Sequence, residues 1–137
     1  MNVVIDASVA IKWFIPDDGA EEDTDKAIQL LKAIQENILC PIQPVHWQAK
    51  VIAMLSRIQP QKCQQSIQLL DILEFPISNS LEVYQKASTI AVHLNHHLFD
   101  TLYHAVAIKQ QAILITADKK YYQKAKQLGN ITLLSEY

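Results

Sequence analysis

Residues 98–122 (LFDTLYHAVAIKQQAILITADKKYY) constrain the chain most. Phe99, Leu102, Tyr103, Val106 and Ala107 recur at helical spacing, so the spacing predicts a helix whose start holds Asp100. Ala112–Thr116 is a short β-branched run that reads as a buried strand, and Asp118 follows its end. A helix joined to a strand in this way is half of a β-α-β unit. In open parallel sheets, function gathers at the carboxyl ends of strands. Asp118 falls there, and Asp100 joins it if its helix starts at the same edge. A third acid fits the pattern: Val3, Val4 and Ile5 read as a strand, and Asp6 lies just past it.

The rest alternates in the same manner. Residues 7–14 read as a helix that Pro16 stops, with Asp6 as a possible cap. The stretch 17–25 carries six acids and no base, and leads into a helix near 23–36. Ile38–Cys40 is a strand closed by Pro41 and Pro44. Helices follow at about 45–58 and 61–73, then Phe75-Pro76-Ile77 as a short edge strand. Ser80 caps a helix over 81–94. After the central helix and strand come a helix at about 119–128, Gly129 as its C-cap, and a strand at Ile131–Leu134. The expectation is a single α/β domain over residues 1–137, a three-layer sandwich around a central parallel five-stranded sheet.

Composition excludes several functions. Glycine occurs only at Gly19 and Gly129, so no glycine-rich phosphate loop exists. Cys40 and Cys63 lack metal or redox spacing and read as reduced thiols. No apolar run reaches membrane-spanning length and no leader pattern opens the chain; the expectation is a soluble cytoplasmic protein. Net charge is −2, but without residues 17–25 twelve bases face eight acids, a balance of +4. Lys119, Lys120, Lys124 and Lys126 follow Asp118 and form either a basic lip for a phosphate backbone or a solvated helix face. His93 and His97 stand at i, i+4 with His96 between them, but no cysteine or acid completes a zinc set. His104, one turn after Asp100, is placed to hydrogen-bond it. His46 and Trp47 offer rings to a nucleobase, although Trp13 and Trp47 suit a core or a dimer contact better.

Four pieces in order, VVIDASVAIKWF, PVHWQAKVIAML, FDTLYHAVA and LITADKK, make the chain resemble the PIN domain, and within it the VapC-type toxins of toxin–antitoxin pairs. The resemblance implies a single-strand-specific endoribonuclease dependent on Mg²⁺ or Mn²⁺. Asp6, Asp100 and Asp118 would be its metal-site and catalytic acids, with Ser8 or Thr116 as a nearby hydroxyl. It also implies RNA as substrate, a homodimer, and an antitoxin partner that covers the acidic groove. The chemistry is consistent: hard cations prefer carboxylate oxygens, and a bound ion activates water and stabilises phosphate charge.

One position departs from the pattern. The family carries an acid, usually glutamate, where this chain has Lys50. The formal charge of four converging side chains changes from −4 to −2, and a ligand is lost because lysine only donates. Either Lys50 takes the place of the cation by pairing with Asp6 or Asp100, or it extends away and three acids hold one weak ion. Metal binding is then weak or absent, and the alternative function is a catalytically weakened or inactive PIN scaffold that binds RNA or a protein partner. A phosphoacceptor receiver domain shares the length and the α/β order, but it needs an acid pair after its first strand, where only Asp6 stands.

Overall fold

The computed structural model describes residues 1–15 and 22–137. Four parallel strands form the sheet among these residues: β1 (Asn2–Ile5), β2 (Cys40–Pro41), β3 (Ile113–Thr116) and β4 (Ile131–Leu133), in the order β2-β1-β3-β4. Val3, Val4 and Ile5 pair in register with Ile113, Leu114 and Ile115. All three β1 residues are fully buried, as expected of a parallel strand covered on both faces.

Seven α-helices are described: α1 (Ala7–Ala10), α2 (Thr24–Gln35), α3 (Trp47–Ile58), α4 (Cys63–Ile72), α5 (Leu81–Leu94), α6 (Leu98–Lys109) and α7 (Lys119–Ala125). Helix α6 is the central one. Residues 101–107 are buried without interruption, because Ala105 and Ala107 let neighbouring elements approach on every side. Thr101 ties it to α5 by donating to the Ala87 carbonyl at 2.8 Å. Trp47 is a core residue stacked on Phe75 (5.2 Å, 13°), and Trp13 meets Phe75 edge-on while its Nε1–H donates to Ala27.

The differences from expectation have local causes. The second strand starts at Cys40, not Ile38. The amides of Ile38 and Leu39 both return to the Ala33 carbonyl, closing α2 through Asn37 at φ +60°, so they are spent before the sheet begins. The expected strand at Phe75–Ile77 is a single parallel bridge between Gln43 and Ile77, which leaves four strands and not five. Pro44 and Pro76 each lack an N–H, so the ladder cannot extend. The first helix tightens into a 3₁₀ turn at Ile11–Trp13, and α7 does so at Lys126–Leu128 before Gly129 turns at φ +75°. Ser80 caps α5 as predicted. The expected stop at Pro16 and most of the acidic loop lie outside the described residues. No helix among the described residues is long and apolar enough to cross a membrane.

Candidate functional site

Topology brings the acids to one edge. Strands β1 and β3 are parallel neighbours, so Asp6 and Asp118 follow the same end of the sheet. Asp6 is even tied to β3, since its amide donates to the Ile115 carbonyl at 3.0 Å. A three-residue connection joins α6 to β3, so α6 runs back along the sheet and its first turn, with Asp100, returns to that edge. Helix α3 follows β2 and starts at the carboxyl side too, which places Lys50 in its first turn opposite Asp100.

Asp6 caps α1. Its Oδ2 accepts from the Ser8 amide (3.2 Å), the Ser8 hydroxyl (2.5 Å) and the Thr116 hydroxyl (3.3 Å). The same two hydroxyls accept in turn: Ser8 Oγ from the Ala117 amide and Thr116 Oγ1 from the Asp118 amide, both at 3.0 Å. Ser8 and Thr116 thus lash the ends of β1 and β3 together. Asp118 caps α7, with Oδ1 accepting from the Tyr121 amide at 3.0 Å.

Asp100 has partners on both oxygens. The Lys50 ammonium is ion-paired with Oδ1, and His96 Nε2 lies 2.8 Å from Oδ2. His96 Nδ1 is 3.2 Å from Lys124 Nζ. A lysine only donates, so Nδ1 accepts and Nε2 carries the hydrogen that goes to Asp100. Of the lysines after Asp118, Lys124 is linked to Asp100 through His96, whereas Lys119 is exposed and 3.9 Å from Glu22.

The electrostatics follow from these positions. Burial pushes the Asp6 carboxyl up, and Asp100 adds in the same direction, against the hydrogen bonds of Ser8 and the charge of Lys50. At Asp100 partial burial also pushes upward, but Lys50, by hydrogen bond and by charge, together with His96 outweighs it and holds the carboxyl below its usual range. Burial raises the Tyr103 phenol, reinforced by Asp6 and Asp100. Burial raises Tyr121 as well, reinforced by Asp100, Asp6 and Asp118, so one phenol lies in the field of all three acids.

Other expectations change. His104 does not reach Asp100: its Nδ1 is 2.9 Å from the Tyr121 hydroxyl and its Nε2 is 2.7 Å from the Gly129 carbonyl. The histidine that reaches Asp100 is His96, four residues before it. That i, i+4 relation was visible in the sequence, but the spacing of His93 and His97 competed with it. Tyr103 and Tyr121 carried no sequence signal of a site. A cleft of about 480 Å³ opens beside Ser8 and Asp118, walled also by Met54 and Lys119, while Lys50 and Asp100 lie outside its lining.

A hard divalent cation does not fit this donor set as arranged. Both oxygens of Asp100 are engaged, and Lys50 brings an ammonium to a place where a cation would need an oxygen. Among the described residues no group of three His, Cys, Asp or Glu side chains is arranged to hold a metal.

No curated protein sequence matches the chain. Among solved structures, VapBC2 from Rickettsia felis, bound to a DNA fragment from its promoter, aligns at TM-score 0.64 and 17% identity, covering 97% of each chain. A toxin–antitoxin complex from Klebsiella pneumoniae aligns at TM-score 0.61 and 15% identity, covering 96% of this chain and 97% of the other. At such identities the likeness is one of fold. The family model of the PIN domain matches residues 3–127, and the chain belongs to the PIN domain family.

Proposed function

We propose that this protein is a toxin-type PIN domain that engages single-stranded RNA at its acidic edge, with metal-dependent hydrolysis weakened or lost. The Lys50–Asp100 ion pair carries the reading. In a competent site Asp6, Asp100 and Asp118 would hold Mg²⁺ or Mn²⁺ against the scissile phosphate. Here an ammonium neutralises part of that cluster. An incoming ion has to displace Lys50 or accept fewer ligands. The likeness to toxin–antitoxin structures supports an antitoxin protein as partner, and a homodimer is part of the same reading.

A fully competent nuclease is favoured by one observation: Asp6 and Asp118 follow the same end of the sheet, and the start of α6 brings Asp100 to that edge. Calorimetric titration with Mn²⁺, beside cleavage of an unstructured RNA, separates the two. The proposal expects millimolar or weaker binding and little cleavage. Tight stoichiometric binding with Mn²⁺-dependent cleavage would establish the competent nuclease instead.

A further inference from the structure

The acidic edge leaves the surface beside Lys50 unexplained. Phe99, adjacent in the chain to Asp100, is 62% exposed. The His46 ring lies against it at 5.7 Å and 40°, and His46 Nε2–H donates to the Phe99 carbonyl at 2.7 Å. His46 also meets the ring of Tyr103 at 5.1 Å, and Tyr103 is fully buried, so the platform is backed by core. Ala49 and Lys50 complete a concavity of about 270 Å³ with walls that are almost entirely carbon.

We infer that this concavity is a nucleobase subsite, in which Phe99, backed by His46, stacks one base of a single strand while Lys50 faces the adjoining phosphate. The inference rests on the reading of RNA as ligand. A flat aromatic surface binds any base through its π-face, and a neighbouring cation meets the backbone. Lys50 has three donor hydrogens, of which Asp100 uses one, and its side chain is 26% exposed. A small carbon-walled concavity with a cation at its rim suits a base joined to a phosphate better than it suits a broad apolar partner. Stacking is tolerant of sequence, so purines are bound better than pyrimidines by area alone, with no strict base identity.

The test uses the full chain, a fluorescent single-stranded oligoadenylate and EDTA. Phe99→Ala should weaken binding about 10-fold, the size of one lost stacking contact. Phe99→Trp should retain binding, and its added indole emission should be quenched by oligoadenylate but not by an abasic ribose-phosphate chain. Equal affinity for the native protein and Phe99→Ala, or an unquenched Phe99→Trp at saturation, overturns the subsite while leaving RNA binding intact. Failure of every form to bind RNA removes the functional reading and the subsite with it. A native dimer that Phe99→Asp converts to monomer with unchanged RNA affinity would assign the patch to a second copy of the chain.

Discussion

The Lys50 ammonium, from the first turn of α3, is ion-paired with Asp100 in the first turn of α6. Both side chains are about three-quarters buried, so removing one partner strands the other in a poorly solvated place. Lys50→Met should cost about 1–3 kcal/mol at pH 7. Part of that loss should return in the double variant with Asp100→Asn, which removes the orphaned charge. The pH dependence has a fixed sign. The folded-state pKa of Asp100 is held below its ordinary value, so its contribution is complete above the unfolded pKa. It is lost as pH falls through the folded pKa. Urea melts of the native protein and Lys50→Met should therefore converge in acid. A constant difference from pH 7 down to pH 3 would show that the pair does not set the stability.

Lys50→Glu should raise Mn²⁺ affinity at least about 10-fold and raise, or create, Mn²⁺-dependent RNA cleavage. The change adds an oxygen ligand and removes a positive charge from the cation's neighbourhood. A tenfold gain needs only about 1.4 kcal/mol, a fraction of the roughly 4 kcal/mol between unit charges 4 Å apart at an effective dielectric near 20. Without metal the variant crowds four acids and should melt below the native protein. Added Mn²⁺ should then stabilise the variant more, because it binds the folded state. Equal melting shifts and equal cleavage in the two proteins would place Lys50 outside any metal site.

Much of this arrangement could be read from residue order, and the failures are specific. Strand ends were legible because Val3–Ile5 and Ile113–Thr116 are short β-branched runs, so Asp6 and Asp118 fell at one edge by topology alone. The register of β2 was not legible. It depends on the Ile38 and Leu39 amides closing α2 instead of joining the sheet, and only the positive φ of Asn37 decides that. The pairing of Lys50 with an acid was one of two open alternatives. Whether Asp6 or Asp100 received it depends on side-chain reach across two helix starts. His96 gained its role because Asn95 turns the chain at φ +50° between α5 and α6, which re-phases the two helices.

Tyr121→Phe tests the wall behind the acids. Gly129 O can only accept, so His104 Nε2–H donates to it and Nδ1 accepts from the Tyr121 hydroxyl. The variant keeps the ring, which packs against His96 at 4.9 Å, but leaves the buried Nδ1 without a donor. A cost of about 1–3 kcal/mol is expected, with RNA affinity unchanged. An unaltered melting temperature would mean that the hydroxyl contributes nothing to the fold.

Asp6→Asn should stabilise the protein at neutral pH, the opposite sign to changes at Asp100. Burial raises the Asp6 carboxyl, so the folded state prefers it protonated. Stability linked to this group is greatest below the unfolded pKa of about 3.9 and declines as pH rises through the folded pKa. Above that point the ionised, desolvated carboxylate opposes folding. Asparagine removes the charge but keeps a side-chain oxygen for the Ser8 amide and hydroxyl, and it is as good an N-cap as aspartate. The expected gain is about 1 kcal/mol at pH 7–8, fading as pH falls through the raised folded pKa and gone below the unfolded pKa of about 3.9. Such a gain is what a residue retained for chemistry or binding, at the expense of stability, should show. Thermal melts of both proteins across pH 3–8 decide it. A variant that is less stable by the same amount at every pH would mean that Asp6 serves α1 as a cap and that its charge costs the fold nothing.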